Sequence, residues 1–211
     1  MIPYLSFLLS YLLGSIPSAV MVGKLTKGID VRDYGSGNAG ATNTFRVLGW
    51  KIAIPVLLID VGKGLLAVEL YNIFNLTWLP IPTKIILGLL AVVGHIFPLF
   101  AKFRGGKGIA TLLGVVIALS PITVLYTLIV FVLTFAITNY ISLSSILSGL
   151  ALPIIYYFTH KSDLNYPLLI FFIFIFFLVI YTHRSNIKRL LTGTESKIFF
   201  SKKRKDAYEK K

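Results

Sequence analysis

The longest apolar stretch of the chain is IATLLGVVIALSPITVLYTLIVFVLTFAI, residues 109–137, and it holds no charged side chain. Because about 20 helical apolar residues cross the hydrocarbon core of a bilayer, this stretch alone exceeds one span. In the whole chain 56% of residues are hydrophobic and 14% are charged, and the mean hydropathy is +0.82. Soluble domains carry charge on about a quarter of their residues. The sequence therefore predicts an all-α polytopic membrane protein.

The basic residues indicate which loops face the cytoplasm. The candidate spans are residues 2–23, 52–74, 83–101, 109–137, 141–158 and 165–182. Five, three and ten Lys or Arg residues lie in segments 24–51, 102–108 and 183–211, whereas 75–84 and 159–164 hold one each. The positive-inside bias places the first three segments in the cytoplasm. The formal net charge of +13 is thus interpreted as a topology signal, and no nucleic-acid partner is expected.

This assignment requires an additional crossing between residues 109 and 182. Proline interrupts helices, and Ser120-Pro121 lies inside the longest apolar stretch, so we expect a break there. Each half would then have about 14 residues, or about 21 Å of helix, and the pair would form a short hairpin. The prediction is seven transmembrane helices with the N-terminus outside and the C-terminus inside. A single tilted and kinked helix, giving six spans, is the alternative.

The loop between the first two spans has the composition of a phosphate site. It contains GSGNAGATN, residues 35–43, followed by Arg46. Glycines allow successive backbone N–H groups to point at one anion, and hydroxyl and guanidinium groups add donors. A flexible polar linker is the alternative, but a linker requires neither the two asparagines nor the arginine.

A second anion site is predicted where GGKG, residues 105–108, precedes a helix. The N-terminus of a helix presents unpaired N–H groups and a positive dipole end, and Lys107 adds a full positive charge. His95 lies at the end of a span and is interpreted as a packing residue. Lys102 and Arg104 are expected to extend toward lipid headgroups.

Polar residues also lie at or inside other predicted spans. Ser142 is at the cytoplasmic end of a span, where its hydroxyl could equally donate to a phosphate or bond to its own helix. His183 and Asn186 follow the last span at spacing i, i+3, on one helical face. Asp60 and Lys63 interrupt the second span at the same spacing, and we expect them to form a structural ion pair.

Five short motifs together resemble the bacterial acyl-phosphate:glycerol-3-phosphate acyltransferase family. They are GSIP at 14–17, GSGNAGATN at 35–43, DVGKG at 60–64, GHIFP with GGKG at 94–98 and 105–108, and HRSNI at 183–187. The resemblance spans nearly the whole chain. It implies a seven-helix enzyme that moves a fatty acyl group from acyl-phosphate to the 1-hydroxyl of glycerol 3-phosphate. The products would be lysophosphatidic acid and phosphate, in the first step of phospholipid biosynthesis.

The resemblance also implies roles for individual residues. Ser36, Thr42 and the Gly105-Gly106 backbone would hold the phosphate of acyl-phosphate, whereas Arg46, Lys107, Ser142, His183 and Asn186 would hold glycerol 3-phosphate. Asn38 and Asn43 are further candidate substrate-binding residues, and the expected catalytic set is Ser36, Arg46, Lys107, His183 and Asn186. No cofactor or metal is expected. The implied location is the bacterial plasma membrane, with the active site on the cytoplasmic face and a functional link to an enzyme that makes acyl-phosphate.

Two positions depart from the family pattern, and one segment lies outside it. Asn139 and Thr182 occupy positions where basic residues are common in the family. We expect one integral membrane domain at 1–193 and a disordered basic tail at 194–211, attracted to anionic lipid. A transporter for a phosphorylated metabolite is one rival function, but no internal repeat is apparent. A catalytically silent membrane scaffold is another, and it would leave the polar loop residues without a purpose.

Overall fold

The computed structural model describes residues 2–80 and 82–198, and ten α-helices and two short 3₁₀ helices lie within this part of the chain. The α-helices are α1 Ile2–Gly14, α2 Ser18–Lys27, α3 Ala41–Leu48, α4 Trp50–Ile73, α5 Pro82–Ile96, α6 Ile109–Leu119, α7 Pro121–Thr138, α8 Ile141–Thr159, α9 Tyr166–Thr182 and α10 Arg184–Leu191. The 3₁₀ helices are Val31–Asp33 and Leu99–Ala101. The all-helical expectation is confirmed.

Three segments of the described chain are long and apolar enough to cross a membrane by themselves, and counting two bent helix pairs raises the number to five. The three are Pro82–Ala101, Pro121–Thr138 and Ile141–Thr159. The 24-residue helix α4 is not among them. Its length is sufficient, but it carries four charged residues, Lys51, Asp60, Lys63 and Glu69. The count of seven spans remains a prediction.

The predicted break at Ser120-Pro121 is present, because α6 ends at Leu119 and α7 begins at Pro121. Ser120 has a non-helical backbone conformation. Its hydroxyl forms a hydrogen bond with the Thr123 hydroxyl, in which either can be the donor, and the two oxygens are 2.7 Å apart. The predicted lengths were wrong, however. Helix α6 has 11 residues and α7 has 18, so α7 is long enough to span and only α6 is short. The hairpin itself remains a prediction.

The first predicted span is interrupted, whereas the last, 165–182, corresponds to the single helix α9 and is followed by a bend. Helices α1 and α2 meet at a bend of 42°, and α9 and α10 meet at a bend of 61°. In the first pair the break lies at Ser15–Pro17, where proline cannot supply a helical N–H donor. The sequence prediction treated residues 2–23 as one continuous helix because every residue up to Val22 is compatible with a span. The break leaves the carbonyl oxygen of Ile16 available to accept a hydrogen bond from Lys63.

The chain divides into two compact units, the first ending at Leu119 and the second beginning at Ser120. In the first unit α4 is central and packs against α1, α2, α3, α5 and α6. Its contact with α6 is close enough to require glycine on both helices. A Cβ atom on Gly64 would clash with the carbonyl oxygen of Thr111, and one on Gly114 would clash with that of Val61. Small residues at such crossings let membrane helices approach closely.

The second unit is built from α7, α8, α9 and α10. The fully buried rings of Tyr156 and Phe172 meet edge to face, with centroids 5.0 Å apart, and join α8 to α9. Residues 194–198 also pack here, because Glu195 and Ile198 are buried and the Ile198 N–H donates to the Asn139 carbonyl over 2.9 Å. This packing differs from the disorder expected for a tail beginning at 194. The rest of that predicted tail, 199–211, lies outside the described residues.

Candidate active site

The first polar loop is organised by the side chain of Asn43, in the first turn of α3. Its Oδ1 accepts hydrogen bonds from the backbone N of Ser36 at 2.8 Å and from Ser36 Oγ at 3.0 Å. Its Nδ2 donates to the carbonyl oxygens of Val31 and Tyr34 at 2.8 and 3.2 Å. Asn43 is 1% exposed. The amide is thus committed to the loop, and direct substrate binding by Asn43 stays a prediction.

The loop leads into the N-terminus of α3, where Gly40 is the N-cap residue. Thr42 lies in the first turn and Arg46 in the last, four residues apart, so both side chains lie on one face of α3. Ser36 is exposed, and Asn38, Thr42 and Arg46 are half-buried. The hydroxyl of Ser36 is directed at Asn43, so donating to a phosphate would require rotation of its O–H bond.

The second polar loop folds back on the end of α5. The backbone N–H groups of Gly105 and Gly106 donate to the carbonyl oxygens of Ile96 and His95 over 3.2 and 3.1 Å. These two donors are therefore used within the loop, in contrast to the expectation that they hold a phosphate. A Cβ atom on Gly106 would clash with His95 Nε2, so glycine is needed here for packing. Lys107 is half-buried and lies two residues before α6 begins.

Arg32 ties the two loops together. Its guanidinium is paired with Asp30 at 2.7 Å, and its Nη1 donates to the carbonyl oxygens of Ala101 and Arg104 at 3.0 and 3.1 Å. The hydrogen bonds from Arg32 hold the pKa of the Asp30 carboxyl below its ordinary value, and Asp30 raises the pKa of Arg32 in return. One fixed side chain therefore sets the spacing between the two loops.

A buried polar cluster lies beneath these loops, and the predicted Asp60–Lys63 ion pair is at its centre. Lys63 Nζ is 2.9 Å from Asp60 Oδ1 and donates to the Ile16 carbonyl, also over 2.9 Å. Ser18 Oγ donates to the same Asp60 oxygen over 2.7 Å. His95 Nδ1 lies 3.4 Å from Asp60 Oδ1 and 3.1 Å from Thr111 Oγ1. The interpretation of His95 as a packing residue is consistent with these contacts.

The two loops meet above this cluster. Ala39 from the first loop and Gly105 and Gly106 from the second line one small cavity, together with Lys63 and His95. The carbonyl oxygen of Ala39 would be 3.0 Å from a Cβ atom placed on Gly106, which shows how closely the loops approach. The structure therefore brings the first two predicted site segments together within the first unit.

The remaining predicted site residues belong to the second unit, and two of them, Ser142 and Asn186, bond to a carboxylate that the sequence analysis missed. Ser142 Oγ and Asn186 Nδ2 both donate to Glu195 Oε1, over 2.8 and 2.7 Å, and Arg189 Nε donates to Glu195 Oε2 over 2.6 Å. His183 Nδ1 is 2.9 Å from the Val179 carbonyl. Ser142 Oγ thus bonds to Glu195 and not to its own helix, which was one of the two alternatives considered for it. The one available signal was an acidic residue within an otherwise basic segment, 184–205.

Comparison with known proteins gives a consistent result across the chain. The sequence model of the family described as glycerol-3-phosphate acyltransferase matches residues 4–193. A glycerol-3-phosphate acyltransferase of Fusobacterium nucleatum is 47% identical over 192 residues, covering 91% of this chain and 96% of the relative. One from Chlorobaculum tepidum is 42% identical over 222 aligned positions, covering 92% and 95%.

A solved structure agrees with these sequence relatives. The crystal structure of PlsY (YgiH), an integral membrane glycerol 3-phosphate acyltransferase in its glycerol 3-phosphate form, is 39% identical and has a TM-score of 0.82. The match covers 93% of this chain and 96% of that one. Both the family match and the relatives extend across the two polar loops and the segment around Asn186. This chain belongs to the glycerol-3-phosphate acyltransferase family.

Proposed function

We propose that the protein transfers a fatty acyl group from acyl-phosphate to the 1-hydroxyl of glycerol 3-phosphate. The bond between the acyl carbon and the phosphate oxygen breaks, and an ester bond to the glycerol oxygen forms. The proton of the attacking hydroxyl ends on the departing phosphate oxygen, and inorganic phosphate leaves. The products are lysophosphatidic acid and phosphate, which would make this the first step of phospholipid biosynthesis.

The observation that carries the proposal is the meeting of two loops, each leading into a helix N-terminus. The first loop enters α3 after Gly40, and the second enters α6 after Gly108. They border one cavity, and Arg46 and Lys107 supply a cation on each of the two segments. Both substrates are phosphate anions, and a helix N-terminus with an added cation suits such a group.

The proposed division of roles rests on the family resemblance, and the positions of the residues are compatible with it. Ser36 and Thr42, on the first loop and the first turn of α3, would bind the phosphate of acyl-phosphate, with Asn38 nearby. Arg46 and Lys107 would neutralise glycerol 3-phosphate. Because the N–H groups of Gly105 and Gly106 are used within their loop, we assign these glycines to loop packing.

The family resemblance also assigns Ser142, His183 and Asn186, which belong to the second unit, to the binding of glycerol 3-phosphate. Asn186 and His183 are buried, at 3% and 2% exposure, which favours firm orientation over solvent contact. The assignment of these three residues rests on the family resemblance, together with the hydrogen bonding described above.

The chemistry requires little beyond binding and orientation. An acyl-phosphate already carries a good leaving group, so placing the attacking hydroxyl in line and compensating charge supplies most of the barrier reduction. A covalent protein intermediate is therefore unnecessary, and the chain contains no cysteine. The acyl chain would remain among the apolar helices, where each buried methylene contributes about 0.8 kcal/mol.

Donor choice is the decisive test of this proposal. Purified protein in lipid is given glycerol 3-phosphate with acyl-phosphate, acyl-CoA or acyl carrier protein as parallel donors, each with and without a metal chelator. We expect lysophosphatidic acid to form from acyl-phosphate alone, unaffected by the chelator. A requirement for acyl-CoA or for a divalent metal would contradict the proposal.

We further propose seven spans in the bacterial plasma membrane, with the N-terminus outside and the polar loops in the cytoplasm. The support is the charge distribution, since 18 of the 21 Lys and Arg residues lie in the segments assigned to the cytoplasm. Reporter domains fused after Phe103 and after Lys211 should both be cytoplasmic. An extracellular signal from either fusion would refute this topology.

A further inference from the structure

Glu195 is a buried carboxylate whose hydrogen-bond partners include two residues of the proposed site. Its side chain is 1% exposed. Ser142 from α8 and Asn186 from α10 share one carboxylate oxygen, and Arg189 from α10 binds the other. Ser142 is 53 residues away in sequence. A single carboxylate therefore joins the beginning of α8 to α10.

The segment that carries Glu195 is anchored independently of the carboxylate. Downstream, the Ile198 N–H donates to the Asn139 carbonyl, and the Lys197 ammonium lies 5.3 Å from the centre of the Tyr140 ring. Upstream, the backbone N–H groups of Thr194 and Glu195 both donate to the Arg189 carbonyl. Because the backbone is fixed on both sides, the carboxylate position is set by the fold and the donors must adjust to it.

The charge state of Glu195 is also set by these contacts. Burial raises the pKa of a carboxyl group, but here the hydrogen bonds from Asn186, Arg189 and Ser142 outweigh burial and hold the pKa of Glu195 below its ordinary value. Glu195 is therefore ionised at neutral pH. An ionised carboxylate can only accept hydrogen bonds.

An acceptor-only partner determines the orientation of its donors. The Ser142 hydroxyl can rotate, but its proton must face Glu195 to form the 2.8 Å bond. The Asn186 amide has two orientations, related by a 180° rotation, and only one places Nδ2 toward Glu195. The directions of the Ser142 O–H bond and of the Asn186 amide are therefore both fixed by Glu195. A neutral partner such as glutamine could both donate and accept, and would not select between the two amide orientations.

We propose that Glu195 is a positioning residue for glycerol 3-phosphate, fixing the Asn186 amide and the Ser142 hydroxyl in the orientation in which they meet this substrate. The inference rests on the proposed function of Ser142 and Asn186. Glu195 itself does not contact substrate, since its side chain is buried and its carboxylate accepts hydrogen bonds from Ser142, Asn186 and Arg189. Arg189 neutralises the charge that would otherwise repel the phosphate.

The test compares Glu195→Gln with wild type in steady-state acyl transfer, varying each substrate separately. We expect the KM for glycerol 3-phosphate to rise at least about tenfold, the effect of losing hydrogen bonds to a charged group. The KM for acyl-phosphate should change less than about twofold, because the proposed phosphate contacts of that substrate lie on other residues. Glu69→Gln is the matched control, because the Glu69 bond to Asn72 is solvent-exposed.

A purely structural role gives a different result. It would lower the melting temperature and the active fraction, and hence the apparent kcat, while leaving both KM values unchanged. That outcome, or an equal rise in both KM values, would overturn the proposal. If Glu195→Gln does not fold, Glu195→Asp keeps the charge but withdraws it by one methylene, and the same selective rise in KM is expected.

A double-mutant cycle gives a second readout. If Glu195 acts through Asn186 and Ser142, then Glu195→Gln should raise the glycerol 3-phosphate KM by a smaller factor in an Asn186→Ala background than in wild type. Full additivity of the two substitutions would refute the indirect role. Failure of wild type to acylate glycerol 3-phosphate at all would instead refute the proposed function, so the two failures are distinguishable.

Discussion

Substitution of Asn43 tests whether its amide holds the first polar loop in shape. Asn43→Ala removes four hydrogen bonds, two to Ser36 and one each to the carbonyls of Val31 and Tyr34. At about 1 kcal/mol of net stabilisation for each bond, the loss is about 4 kcal/mol. Since the bonds lie within one loop, most of this loss should appear as a smaller population of the ordered loop. We then expect kcat/KM to fall by about 10² or more.

Asn43→Asp is the more diagnostic change because it preserves the shape of the side chain. One carboxylate oxygen can still accept from Ser36, but the other replaces the Nδ2 donor and faces two carbonyl oxygens. Repulsion between acceptors then replaces attraction, so we expect Asn43→Asp to be at least as damaging as Asn43→Ala. Asn72→Asp, at an exposed position on α4, is the matched control and should be nearly silent.

The assay is lysophosphatidic acid formation by purified variants in lipid, together with the melting temperature of each. A kcat/KM for Asn43→Asp within twofold of wild type, with an unchanged melting temperature, would show that the loop does not depend on this amide. If the Asn72→Asp control also has a lowered melting temperature, Asn-to-Asp changes are harmful at an exposed position too. The effect of Asn43→Asp would then not support a specific role for Asn43.

Three further substitutions test other parts of the structure. Lys107→Ala should lower kcat/KM by about 10² to 10³, the effect of losing one charge-assisted contact to phosphate, whereas Lys102→Ala on the same loop should be nearly silent. Wild-type turnover by Lys107→Ala would mean that the site is misplaced. Gly64→Ala should lower the melting temperature through its clash with α6, whereas Gly62→Ala, which meets no atom within 4 Å, should match or exceed wild type in thermal stability. Equal melting temperatures for the two variants would contradict the close helix crossing. The pKa of Glu195 is lowered, so the stability gained from its ionised form is complete above its ordinary pKa of 4.5 and is lost as the pH falls through the folded-state pKa. The difference in melting temperature between wild type and Glu195→Gln should therefore be constant from neutral pH down to about 5 and shrink only below the ordinary pKa, and a difference that disappears near neutral pH would refute this.

Features fixed by local sequence were predictable. The break at Ser120-Pro121 follows from the chemistry of proline, and the Asp60–Lys63 pair follows from helical spacing at i, i+3. The lengths of helices α6 and α7, on either side of the break, were not predictable, because an apolar run gives no signal for where a helix within it ends. The break at Pro17 had the same local signal, but hydrophobic continuity outweighed it in the interpretation.

Features fixed by tertiary contacts were missed. Arg32 binds carbonyl groups 69 and 72 residues away, and Glu195 accepts from a hydroxyl 53 residues away. No periodicity or motif indicates such partners, because backbone carbonyls have no sequence signature. The bonds by which Asn43 holds its own loop were missed for the same reason. An asparagine among glycines is equally suited to binding a ligand and to holding its own loop, and only the positions of Val31 and Tyr34 distinguish the two.

The buried Asp60–Lys63 pair also restricts how this protein can change over time. The pair also bonds to Ser18 and to the Ile16 carbonyl, and removing either charge leaves the other buried without its partner charge. Removing one partner of a buried pair costs about 3–5 kcal/mol, whereas replacing both by apolar residues of similar volume is often neutral. A lineage can therefore lose the two charges only together, or through an intermediate that folds poorly. Among divergent descendants of this chain, positions 60 and 63 should covary, both ionic or both apolar, with mixed combinations rare.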